Sequence, residues 1–230
     1  MSPAQSRTDI FDVKKVTKLI ELMKEHDLSE IDLKQGETIR QYEEYLLSTA
    51  EKMRDAGSPY GYVAMGSTMV CTAQAYCAVG GMPRKKATED FYFLQELSKY
   101  DGVHTISDIL LYPSPRPISR VYLGTGFRME QAKRGFDINS LYYSDIAFQL
   151  LSKWIALGSN SYQVELSLLI KQMDDTNFDL TDFLIKEGLK DIWINIQKNA
   201  PSKPHFSKQF HRWFDGLKTI RLLNFFSDTE

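Results

Sequence analysis

The 230 residues are 43% hydrophobic and 25% charged, the balance of an ordinary globular protein with room for one large domain or two small ones. A net charge of −2 excludes broad electrostatic attraction to nucleic acid or to an anionic lipid surface. No apolar run reaches the roughly 20 residues of a bilayer span, and Met1-Ser2-Pro3-Ala4-Gln5 lacks the basic-then-apolar opening of a secretory signal, so a cytoplasmic location is expected, with peripheral membrane contact left open.

Residues 1–9 read as a loose terminus. Asp12 can cap a helix running to about His26, with Val13, Val16, Leu19, Ile20 and Met23 on one side. Leu28 to Leu33 alternates and reads as a strand. Gln35-Gly36 is a turn signal, after which Glu37 to Arg40 returns as a second strand or runs into the next helix. From Gln41 a helical stripe of Tyr42, Tyr45, Leu46, Thr49 and Met53 ends near Ala56-Gly57, and Ser58-Pro59-Tyr60 breaks it.

Gly66 to Cys71 reads as a short buried strand. Thr72 to Val79 reads as a helix stopped by Gly80-Gly81. A helix over about Glu89 to Lys99 follows, then candidate strands at Val103–Ile106 and Ile109–Tyr112. Pro113-Ser114-Pro115-Arg116-Pro117 is barred from regular structure, because its prolines lack backbone donors. Gly124-Thr125-Gly126 continues that loop. Helices are then expected near 144–157, 162–172, 180–198 and 206–226. Ile185, Leu189, Ile192 and Ile196 form one apolar stripe, and Phe206, Phe210, Trp213, Leu217 and Ile220 another.

Few residues carry chemistry by type and spacing. Cys71 and Cys77 are too few for a zinc site and read as reduced, partly buried thiols. The four histidines share no ligand spacing, and Asp174-Asp175 reads as a solvated turn. Thr88-Glu89-Asp90 places two acids in the first turn of a helix, where the dipole favours their charged form. That placement alone stabilises a helix by about 0.3–1 kcal/mol. It also suits a general base, which typically contributes ~10²–10⁴-fold to a rate. Arg116 and Arg120, near glycine-rich backbone, can either hold a diphosphate or pair with surface acids.

From about Ile39 onward the chain resembles the C-terminal half of family 2 glycosyltransferases. The resemblance runs through Ala56-Gly57-Ser58-Pro59-Tyr60, Gly66-Ser67-Thr68-Met69 and Gly80-Gly81-Met82. It continues through Glu89-Asp90-Phe91-Tyr92-Phe93-Leu94, Pro113-Ser114-Pro115-Arg116 and Arg120 to Gly126. Thr88-Glu89-Asp90 also looks like the Thr-Glu-Asp motif of processive relatives such as cellulose synthases.

The resemblance implies the acceptor lobe of the two-lobed nucleotide-sugar transferase fold, a mixed, helix-rich α/β architecture ending in a helical region. It divides the chain into residues 1–40, 41–126 and 127–230. It implies Asp90 as the acceptor-activating base, Glu89 as its neighbour in the substrate site, Arg116 and Arg120 as diphosphate contacts, and Ser67 and Thr68 on the acceptor side. The reaction implied is inverting transfer of a sugar from a nucleotide sugar to a hydroxyl on a glycan or lipid. A divalent metal, magnesium or manganese, is implied as cofactor, with no ligand set visible in the sequence.

The family's nucleotide-binding half and its Asp-x-Asp metal motif are not found before Gly57. Residues 11–40 instead resemble the opening of biotin carboxyl carrier proteins, from Phe11-Asp12-Val13-Lys14-Lys15 to Leu33-Lys34-Gln35-Gly36-Glu37, without their biotin-accepting Ala-Met-Lys-Met stretch. This departure points to a truncated or fused chain whose donor half a protein partner would supply. The alternative reading is a non-catalytic remnant or helical interaction module.

Overall fold

The computed structural model describes residues 30–64, 69–85, 87–106 and 124–227. Among the described residues the chain forms ten α-helices and one 3-10 turn, with no strand. The expected α/β nucleotide-sugar transferase fold is therefore corrected to an all-helical arrangement.

The first correction lies at α1, Glu30–Asp55. The strand expected at Leu28–Leu33 and the turn at Gln35-Gly36 are, from Glu30 on, the opening turns of this helix, and of the two readings of Glu37 to Arg40 the one that runs into the next helix holds. Its sequence is rich in Glu, Gln, Leu, Lys and Arg, all strong helix formers, and the one interior glycine costs only about 1 kcal/mol. Ile39 and Tyr42 are buried against Met129 and Ile138, so tertiary packing fixes the local choice. The helix predicted over 12–26 lies outside the described residues.

Helix α2, Ala73–Ala78, is capped by Thr72, whose hydroxyl accepts the Ala75 amide at 3.1 Å. Of the buried strand expected at Gly66–Cys71, the described residues Met69, Val70 and Cys71 are irregular chain. Residues 65–68 lie outside the described part, and Val70 is 86% exposed. Val103–Ile106 is likewise irregular, and Ile106 is exposed. A single apolar run needs a partner strand for its backbone groups, and among the described residues neither segment has one. The Ile109–Tyr112 strand and the proline loop lie outside the described residues.

Helix α3, Glu89–Tyr100, forms as its sequence predicts. Gly124-Thr125-Gly126 is not the continuation of a loop, because Gly124 caps α4, Thr125–Lys133. A 3-10 turn at Ile138–Leu141 follows, opened by the Asp137 carboxylate accepting the Asn139 amide at 2.9 Å. Helices α1, α4 and this turn share a small core of Ile39, Tyr42, Met129 and Ile138.

The rest is a helical bundle. It contains α5 (Asp145–Asn160), α6 (Leu166–Asp174), α7 (Phe178–Lys186), α8 (Leu189–Asn199), α9 (Lys203–Trp213) and α10 (Gly216–Ser227). Two helices predicted as single elements are split. Gly188, at φ +90°, turns the chain between α7 and α8, a backbone conformation other residues adopt at a cost. Asp215 breaks the next pair, its carboxylate accepting the Lys218 amide at 3.2 Å to start α10.

Helix α5 is the centre of the bundle and packs on α9 and α10. Its Trp154 meets Phe210 edge-on with centroids 5.4 Å apart, and Phe214 at 5.8 Å. Gly158, one turn further on, admits the Phe210 ring: a Cβ there would overlap it. This aromatic core continues through Phe206 and Trp193, centroids 5.5 Å apart.

Candidate functional site

Helix α3 carries the predicted base and is anchored along its length. Phe93, Leu94 and Leu97 are buried against Tyr62, Ala75, Val79 and Val103. Tyr76 of α2 meets Phe93 edge-on at 5.6 Å. Gln95, 3% exposed, turns its amide oxygen to the Leu217 amide at 3.1 Å and so ties α3 to the first turn of α10.

These contacts set where the N-terminus of α3 lies. Glu89 and Asp90 occupy its first turn, both half-buried. Asp90 Oδ1 accepts the Phe91 amide at 2.7 Å, which fixes the carboxylate against its own helix end. Thr88, the residue before the helix, does not cap it with its side chain. It sits at φ +66°, and its hydroxyl donates to the Ala87 carbonyl at 2.5 Å. The acid therefore takes over part of the work of a cap, satisfying an amide that the helix leaves open.

Two groups not singled out in the sequence share this neighbourhood. Burial pushes the Tyr42 phenol up, the Arg128 guanidinium opposes that shift, and Tyr45 and then Asp90 add to it. Tyr42 of α1 thus lies within electrostatic range of both Arg128 of α4 and Asp90 of α3. Arg128 is steadied by Gln131, Nη1 to Oε1 2.7 Å, and lies 5.6 Å from the Phe136 ring centre. A further cation, Lys85, stands 3.5 Å over the Tyr92 ring. Arg128 was hidden in the sequence because Gly124-Thr125-Gly126 reads as loop. The signal available was Gly124 as a helix cap, with Arg128 one turn in.

Arg116, Arg120, Ser67 and Thr68 lie outside the described residues. Among the described residues no three His, Cys, Asp or Glu side chains gather as metal ligands. Glu89 and Asp90 offer at most two carboxylates, one of them already engaged with a backbone amide. Asp174 and Asp175 are exposed at the end of α6, as a solvated turn. His104 is exposed in irregular chain, where the sequence suggested a structural strand position. Cys71 and Cys77 are exposed free thiols rather than partly buried ones.

Comparison with protein-family models, with curated proteins and with solved structures finds no match. Among the described residues no helix is long and apolar enough to cross a membrane.

Proposed function

We propose that this chain takes part in inverting sugar transfer, with Asp90 as the base that activates the acceptor hydroxyl. The observation that carries the reading is the placement of Asp90. It is a half-buried first-turn carboxylate held by its own helix amide, in the Thr88-Glu89-Asp90 motif that resembles the acceptor-activating segment of family 2 glycosyltransferases. The reading rests on that motif and that carboxylate, not on the helical fold, since a fold does not by itself assign chemistry.

Asp90 Oδ2, which is not the atom held by Phe91, is the oxygen offered to a substrate. It takes the proton of an acceptor hydroxyl as that oxygen bonds to the anomeric carbon of the nucleotide sugar. The bond from that carbon to the diphosphate oxygen breaks, and the nucleoside diphosphate leaves with the electron pair. Attack from the opposite face inverts the sugar. Arg116 and Arg120 are proposed to meet the charge on the leaving diphosphate. Ser67 and Thr68 are proposed contacts on the acceptor side, with Glu89 shaping the field beside the base. A partner chain bearing a nucleotide-binding half is the proposed source of donor binding.

A second reading is favoured by one observation. The bundle from α5 to α10 closes its own aromatic core while leaving Phe178 and Ile194 exposed, as a helical interaction module would. Release of uridine diphosphate from a uridine diphosphate sugar, measured with acceptor, manganese and the donor-binding partner supplied, separates the two. Turnover above that of the partner alone supports sugar transfer, and turnover no higher than the partner's favours the interaction module.

A further inference from the structure

The end of α3 remote from Asp90 opens on a cavity of about 310 Å³. Lys99 lies nine residues beyond Asp90 on this helix, about 13 Å along its axis at 1.5 Å per residue. The hollow is therefore separate from the proposed transfer site.

One wall is the last turn and exit of α3, and the other is the face of α9 that carries Lys208, His211 and Arg212. The segment Pro59-Tyr60 joins them. Ser98 Oγ donates to the Pro59 carbonyl at 3.0 Å, and the Tyr60 hydroxyl donates to the His211 carbonyl at 2.6 Å. Both walls are thus tied to the same short segment, which fixes the gap between them. Its volume is at the lower end of the ~300–1,000 Å³ typical of small-molecule sites.

The charges in this lining are unevenly matched. Lys99 is already held by Glu96 at 2.9 Å and Asp215 at 3.2 Å. Lys208 and Arg212 are four residues apart on α9 and make no ion pair among the described residues. Like charges at that spacing on a helix repel. His211 lies between them, its Nδ1 shielded and without a partner among the described residues, and burial holds its imidazole pKa below the ordinary value. Among the described residues Asp101 is the one carboxylate in the lining, and Lys208 and Arg212 have no ion-pair partner.

We propose that this hollow binds the phosphate group of a small molecule between Lys208 and Arg212. Arg212 supplies a planar fork and Lys208 a point charge, the two common ways of meeting phosphate oxygens. The half-exposed Tyr100 ring gives the remainder of a phosphate ester an apolar edge to lie on.

The test is calorimetric titration of the intact protein with inorganic phosphate and with phenyl phosphate. Saturable binding of at least one is expected, weakened about tenfold or more in the Lys208→Gln, Arg212→Gln double variant, since two charge-assisted contacts are lost. Both side chains are exposed, so the variant is expected to keep the parent's circular dichroism spectrum. Asp101→Asn is expected to tighten binding. Tighter binding of phenyl phosphate identifies an ester as ligand, and equal affinity identifies free phosphate. Asp90→Asn is expected to leave binding unchanged, which keeps this result independent of the transfer reading. Absence of saturable binding of either compound, or binding undiminished in the folded double variant, overturns the proposal.

Discussion

The Tyr60 hydroxyl donates to the His211 carbonyl at 2.6 Å across 151 residues of chain. It clasps the segment after α1 onto the helix that carries the last aromatic stripe. Burial pushes the phenol of Tyr60 well up, so it stays a donor throughout the physiological range. Tyr60→Phe keeps the ring and removes only this bond. A loss of about 0.5–1.5 kcal/mol in urea unfolding is expected. A stability equal to the parent's would show that the contact contributes nothing.

Gly158 and Ile194 make a contrasting pair. A methyl group at Gly158 would overlap the Phe210 ring in the centre of the bundle. Gly158→Ala should destabilise by about 1–3 kcal/mol despite the better helix propensity of alanine. Ile194 is 63% exposed on α8, and Ile194→Ala should stay within about 0.5 kcal/mol. Thermal denaturation of the two variants beside the parent checks both. A stabilised Gly158→Ala protein would contradict the packing of α5 on α9.

Gln95 is a buried polar residue whose amide oxygen serves the Leu217 amide. Gln95→Met fills similar space and leaves that amide without its acceptor. The expected cost is about 1–3 kcal/mol, the penalty for stranding a buried donor. Hydrogen exchange should also quicken at Leu217. Unchanged exchange there would show that α3 and α10 are not joined through this bond.

Burial lowers the imidazole pKa of His211 in the folded protein. In the unfolded chain the ring takes up its proton near the ordinary histidine value, about 6.5. Between those two values the unfolded state binds more protons, so stability rises with pH. The contribution of His211 is full above about 6.5 and is lost as pH falls from there toward the lowered folded value. Unfolding free energies measured across that range should slope upward with pH in the parent and more weakly in His211→Gln. Identical slopes would remove His211 as the cause.

The helices with capped, periodic sequences were legible before any coordinates. Ser144 starts α5 by accepting the Ala147 amide at 3.2 Å, and Thr72 starts α2 in the same way. The stripes Ile185 to Ile196 and Phe206 to Ile220 were legible as helical. They hid the breaks at Gly188 and Asp215, because an apolar period can run on in phase through a turn. Short apolar runs read as strands at Gly66–Cys71 and Val103–Ile106, yet their described residues, from Met69 and from Val103, are irregular chain, because period alone does not separate the two. Glu89 and Asp90 lie in the first turn of α3, the helix position their sequence predicts. The nearness of Tyr42 to Arg128 and Asp90 was not legible, since only packing of α1 and α4 near the start of α3 brings them into range.

The account turns on Asp90 removing a proton from an acceptor hydroxyl. The most direct measurement is release of uridine diphosphate from a uridine diphosphate sugar by the parent chain and by Asp90→Asn, each with acceptor, manganese and the donor-binding partner supplied. The variant should turn over ~10²–10⁴-fold more slowly, the usual contribution of a positioned base, while its fold and donor affinity match the parent's. Equal, non-zero rates would contradict the assignment.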